Sequence, residues 1–478
     1  MTRPMVDRIL GPLLILDHVA DGQMHVAAVF VAPLGQDVPP VRVDGTAVPV
    51  QPLLAFGSAQ LWRARFALPA DAPSAYEWGE QRFDVASDLS GDLRIAYASC
   101  NGEEHGDLTR LAKERNIMWA RLAKDHRNAP FGLLLLGGDQ VYADEATRGH
   151  PLSDEWPEKI PRDPLPHDLD DLRAHLREGF LERYVAQLQD PDYAWLTARV
   201  PSLSQWDDHD ICDGWGSLPR SRTYSPVGQV LFDVAKEAAL AFQHGTVAGD
   251  LPARFADPDG YHLNWAVQMP GLRLLGPDLR SERTRRQVMD VGGWADVEAH
   301  AEAPFQGRTF VMSSVPLLGP RLSILETLMV VTPRMQKYED DLRDQWQSRA
   351  HRDSWRRMLR LMMQMQEQEG QDVAILSGEI HLATLATMAA RNGQMLHQLV
   401  ASAVTHRPPP KAWARFLGTL SRLGEAPLPG HRIRIRRIPG QSLRYVADRN
   451  VLVLERRGGA WQAVWHFEQT GASPPLAL

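Results

Sequence analysis

Cysteine is nearly absent from this chain. Only Cys100 and Cys212 occur among 478 residues, so a disulfide framework is not what stabilises it. No uninterrupted apolar run approaches the length needed to span a bilayer. The short apolar piece Ile9 to Leu16 is broken by Gly11 and Pro12 and lacks a positively charged leader. No export signal is therefore expected, and a cytoplasmic location is. An excess of positive charge is also missing. The net charge is −7, which favours neither nucleic acid nor an anionic membrane as partner, and no obligate protein partner is inferred. Local basic runs exist; one, His431 to Arg437, alternates Arg with Ile433 and Ile435 and reads as a strand with one wet face. No repeat of solenoid period is present.

The length implies a large catalytic domain with something smaller attached. Residues 1–90 read as short strands separated by Pro, Gly and Asp. Asp44-Gly45 marks a hairpin turn, and Trp62, Ala64, Phe66 and Leu68 alternate with Arg63, Arg65 and Ala67. A small β-sandwich bracing the next domain is expected there. From residue 91 to 478 strands alternate with helices, the α/β texture. Asp107 to Asp125 has helical spacing. Leu172, Leu176, Phe180, Tyr184 and Leu188 recur every four residues, a helix with one apolar face. Ser225-Pro226 predicts a helix start. Pro333 to Gly370 reads as largely helical, its Met and Trp stripe being core.

Four strand-like runs end in groups that bind metals. Arg94 to Ala98 leads into Cys100. Leu133 to Leu136, within FGLLLLGGDQVYAD, leads into Asp139 and Tyr142. Val200 to Trp206 leads into Asp207, Asp208 and His209, and Val373 to Leu376 into Glu379 and His381. Alone, each is weak: a lone Asp caps turns, and a lone Cys is usually a small hydrophobe. Together, at the exits of parallel strands, they would converge on one rim. Carboxylate, imidazole, thiolate and phenolate suit one harder and one softer ion. Two ions roughly 4 Å apart sharing a carboxylate are the usual device for splitting a phosphate ester.

In order, SCNG, GGDQVYAD, WDDHD and SGEIH resemble the motifs of the PhoD-like (alkaline phosphatase D) branch of the metallophosphoesterases. The resemblance runs from about Leu93 to the end, and the β-rich start is similar to that family's leading domain. It implies a four-layer α/β/β/α sandwich, a dinuclear centre and hydrolysis of phosphate monoesters or diesters. Carried over by motif, Cys100 is the thiolate ligand, Asp139 the bridging carboxylate, Tyr142 the phenolate and His381 the imidazole, with Glu379 as a further carboxylate. Asp208 and His209 fall where the superfamily has a metal-binding amide and a catalytic histidine. The implied ions are Fe3+ at the thiolate–phenolate position, with Ca2+ or another divalent ion beside it. This chain departs from the pattern in having Glu379 where Asp is common, and Asp213 with Gly214 where Asn is usual. Asp213 is taken as an added ligand.

The reaction expected is attack on a small-molecule phosphate ester by a metal-bound hydroxide, with Asp139 holding both ions and His209 protonating the leaving oxygen. Arg280 and Arg283 are candidates for the phosphoryl oxygens, with a structural ion pair as the alternative. Two rival readings are a hydrolase with Cys100 as nucleophile and a non-catalytic metal- or phosphate-binding relative. Cys212 has no motif support and is expected to be buried filler.

Overall fold

The computed structural model describes residues 5–320 and 344–478. Its core is a pair of stacked sheets, of eleven and nine strands among the described residues. At the centre of the first, Leu93–Ala98, Leu133–Gly137 and Ser202–Gln205 run parallel. Every residue of Leu133–Gly137 is buried, as a strand covered on both faces must be, and this is why it reads as a continuous apolar run. In the second, Leu272–Gly276, Gly307–Met312, Gln371–Ser377 and Met395–Val400 run parallel.

The pleat divides the second sheet's side chains between two layers. Phe310, Met312, Ala374 and Leu376 join the core shared with the first sheet. Val311, Val373 and Ile375 pack outward against Trp294, Trp355, Leu359 and Met362. Phe310 meets Trp461 of the first sheet edge-on at 5.0 Å, closing the seam. The helices Pro166–Leu188 and Pro226–Ala238 seal the first sheet's outer face, so the layers run α/β/β/α as expected.

The expected N-terminal sandwich is corrected in one respect. Leu10–Ala20 pairs in parallel with Ser202–Gln205, and Gln23–Pro33, Ala59–Pro69 and Gln51–Phe56 extend the same sheet. These strands are not free-standing, because Leu10–Ala20 is buried continuously from Pro12 to Asp17 and needs cover on both faces there. Only the short strands Val41–Val43, Thr46–Val48, Ser74–Trp78 and Gln81–Val85 form a separate four-stranded sheet. The helix expected over Asp107 to Asp125 is broken, with Ile117–Asn128 as its main part, and Leu111 is 80% exposed. In the stretch Pro333 to Gly370, residues 333–343 lie outside the described residues. Arg352–Gln366 is a helix, whereas Trp346 sits in the turns before it. Among the described residues no helix is long and apolar enough to cross a membrane.

The helix start predicted at Ser225 is present: its Oγ accepts from the Gly228 N–H at 3.1 Å. Ser225→Ala should lower stability by about 1 kcal/mol, read by urea denaturation, because one N–H of the first turn loses its partner.

Candidate metal centre

The parallel strands of both sheets end at one rim. Cys100, Asp139, Glu379 and His381 each follow a strand there, and all four have positive φ, at 56°, 53°, 65° and 52°. A side chain in that region costs on the order of 1–3 kcal/mol, so the surroundings must impose it. Backbone bonds do so: Cys100 N–H donates to the Gly138 carbonyl at 3.1 Å and Asn101 N–H to the Asp139 carbonyl at 2.8 Å. His381 N–H donates to Ser402 Oγ at 2.9 Å. Gly378 allows the two sheets to meet here, since a Cβ on it would lie 2.3 Å from Ser99 Oγ.

Three carboxylates, Asp139, Asp207 and Asp208, offer oxygens within 4.8 Å of one another, all buried. Burial, and then the charge of Asp207, pushes the Asp139 carboxyl well above its ordinary range. Asp207 is pushed up to about 6 by burial, against the pull of Arg280. Burial, with Asp344 and Asp207 adding, also raises Glu379, whose Oε1 accepts from Gln345 Nε2 at 2.6 Å. Asp210 fastens the loops, accepting from the Gln140, Val141 and Asp207 amides at 2.9, 3.1 and 2.8 Å.

Beside this cluster lie the softer donors. Cys100 Sγ is 3.2 Å from Ser402 Oγ, and Tyr142 OH donates to Asp139 Oδ2 at 3.5 Å. Burial raises both the thiol and the phenol well above their usual range, with neighbouring negative charge adding to the effect. The His209 ring stacks on Tyr142 at 4.3 Å, and its Nδ1 lies 3.0 Å from Asp144 Oδ2. Burial would lower His209, but Asp144 and Asp208 outweigh it and hold the imidazolium. His381 stacks on His406 at 3.6 Å, and burial with His406 keeps it neutral.

The residues present fit metal ions. Asp139 Oδ1, Asp207 Oδ2, Glu379 Oε2 and His381 Nδ1 are buried without a hydrogen-bond partner. All four are lone-pair atoms, and buried polar atoms otherwise find partners. A cation would satisfy them and reverse the upward carboxyl shifts.

One expectation needs correction. Arg280, completely buried, uses all its N–H groups internally: Nε on Asp207, Nη1 on the Trp215 carbonyl and Asp344 at 2.9 Å each, Nη2 on Asp208 at 3.3 Å and Asp344 at 2.7 Å. No donor is left for a phosphoryl group. Arg283 is also buried, against Asp344 and His351, but its Nη1 has no hydrogen-bond partner. Asp213, expected as an added ligand, is exposed; its amide donates to Asp144 Oδ1 at 2.6 Å, and its carboxylate lies with Asp208 and His209 in a group whose ligand atoms are within 4.8 Å of one another, a set that could hold an ion. Cys212 is buried filler as expected.

Sequence reasoning left Glu104, Asp144 and His406 without roles, and gave Asp207 none beyond its place in a metal-competent cluster. Glu104 joins the two halves of the rim, 3.1 Å from His406 and 3.9 Å from both His209 and His381. Asp144 and Asp207 stood inside quoted motifs. Glu104 and His406 carried no signal beyond ordinary loop polarity.

The sequence profile described as PhoD related phosphatase matches residues 83–339, more than half of the chain. The uncharacterized protein YGR266W of Saccharomyces cerevisiae is 22% identical over 431 residues. That match covers 72% of this chain and 60% of the yeast protein, so the chain spans less than two thirds of that relative's length. Among solved structures, PhoD covers 98% of this chain and 88% of its own at TM-score 0.52 and 12% identity. The purple acid phosphatase PPD1 from yellow lupin (Lupinus luteus) seeds covers 97% and 73% at TM-score 0.50 and 9% identity. At these identities the likeness concerns the fold, which is of the metallophosphoesterase type.

Proposed function

We propose, from the premise that the chain belongs to the family of PhoD-related phosphatases, that it is a metal-dependent hydrolase of small phosphate esters with a dinuclear centre. Cys100, Tyr142 and His381 would hold the softer ion, iron being the best match. Asp208, Asp207 and Glu379 would hold a harder divalent ion such as calcium, with Asp139 shared. Bound there, the ions would supply Lewis acidity, neutralising the phosphoryl oxygens and making water a nucleophile at working pH.

The protein's own part follows from its contacts. Asp144 fixes the His209 ring by its Nδ1 and keeps it protonated, leaving Nε2 to hand a proton to the departing oxygen. Stacking on Tyr142 holds that ring at the rim. The observation that carries the reading is the set of buried, unpartnered donor atoms on Asp139, Asp207, Glu379 and His381. The rival in which Cys100 is the nucleophile has less support. Its Sγ meets the hydroxyls of Ser99 and Ser402, with no histidine base among its hydrogen-bond partners in the described residues, and burial keeps the thiol protonated.

The test is elemental analysis of protein purified without added metal, then assays on an aryl phosphate monoester and diester. Chelator should abolish turnover and added metal restore it, with alkylation of thiols ineffective on the metal-loaded protein. Bound metal without turnover of either ester would leave only a binding protein. Turnover indifferent to chelator but lost on alkylation would favour the cysteine nucleophile.

A further inference from the structure

The chain's positive charge is gathered where aromatic surface is exposed. From Arg407 to Arg449 there are ten Lys or Arg and only two acids, Glu425 and Asp448, in a chain of net charge −7. Both acids are turned inward. Glu425 is buried and pairs with Arg352 at 3.2 Å, and Asp448 is buried and accepts from the Gln469 and Thr470 amides. Arg407 is paired with Glu103 and Glu114. Exposed cations remain on the helix Lys411–Leu420 and the turn after it, at Lys411, Arg415 and Arg422, and on the strand His431–Arg436, at Arg434 and Arg436.

That helix rests on the second sheet's outer layer through Ala414 and Leu417. Its other side carries Trp413 and Phe416, 37% and 45% exposed, their rings stacked 5.5 Å apart. Half-buried Leu420, one turn on, packs back against that same outer layer. Two stacked rings left partly in water are not what anchors the helix, since Ala414 and Leu417 already do so.

We propose that the helix Lys411–Leu420 docks this protein peripherally on an anionic bilayer surface. Charge complementarity selects the partner: exposed Trp and Phe flanked by Lys and Arg are the composition of a helix lying in the headgroup plane. The rings reach the acyl boundary while the long basic stems reach lipid phosphates. A single-stranded nucleic acid would also stack on the rings, so oligonucleotide binding is one arm of the test. The whole-chain charge, which gave no reason to expect an anionic membrane, averages this segment away. The helix begins just after His406, whose ring stacks on His381, so docking sets the lipid surface beside the candidate metal rim.

The experiment is co-sedimentation of the full chain with phosphatidylcholine vesicles, with and without about 30 mol % phosphatidylserine. Binding is expected with the anionic vesicles alone and should be released at about 0.5 M salt. The double variant Trp413→Ser, Phe416→Ser should lower partitioning roughly tenfold or more, as should the charge reversal Lys411→Glu, Arg415→Glu, Arg422→Glu. The charge-reversal variant should melt like the wild type because its side chains face solvent, and it keeps the test readable if losing the half-exposed rings lowers stability. No pelleting with anionic vesicles overturns the proposal. So does pelleting that survives loss of the two rings, or oligonucleotide binding as strong as vesicle binding and insensitive to the rings, which would mark a general polyanion surface.

Discussion

Asp139→Asn is expected to remove hydrolysis by on the order of 10³-fold or more, the scale for deleting a preorganised charge from a catalytic site. The same substitution should leave the metal-free protein as stable as the wild type or more so. Burial and the neighbouring Asp207 raise the Asp139 carboxyl well above its ordinary range. The folded state therefore binds a proton that the unfolded state has already released, and its stability falls as pH rises from the ordinary carboxylate pKa through the raised one. A neutral asparagine lacks that penalty at neutral pH. Added metal should raise the melting temperature of the wild type through binding to the folded form and leave the variant's unchanged. Three measurements on the two proteins check this: metal content, aryl phosphate turnover, and melting with and without metal. A variant that melts lower in both conditions would make Asp139 a structural residue and remove the shared ligand from the proposed centre.

How much of this was legible in the sequence depended on range. A strand buried on both faces is written as an unbroken apolar run, so Leu133 to Leu136 and Val373 to Leu376 announced themselves. Parallel strands share a polarity, and the gathering of Cys100, Asp139, His209 and His381 at one rim followed from that. The pairing of Leu10–Ala20 with Ser202–Gln205 was not legible, because nothing local in either strand names its partner. The same limit applied to Glu104 and His406, which come from opposite halves of the chain and acquire meaning only when they meet at 3.1 Å. The departure at Glu379 also became concrete only in three dimensions, where Gln345 takes one carboxylate oxygen and the other is left bare.

Arg280→Met should destabilise the fold by about 3–5 kcal/mol, or prevent folding, because it strands buried carboxylates. Arg280 is fully buried and touches Asp207, Asp208 and Asp344 at once. Burial alone would raise Asp344, yet Arg280 and Arg283 hold it at about 2, so that carboxylate is ionised and depends on them. Arg280→Lys keeps the charge but loses the planar fork that reaches the Trp215 carbonyl and three carboxylates together, so it should rescue only part of the loss. Adding Asp344→Asn to Arg280→Met should restore part of the stability, since the cost lies mainly in an unpaired buried charge and not in the bond itself. A double-mutant cycle followed by chemical denaturation measures that coupling directly. An arginine that gripped the substrate would behave in the opposite way, with unchanged stability, raised KM and no coupling to Asp344. That outcome would return Arg280 to the phosphoryl-binding role its sequence neighbourhood first implied.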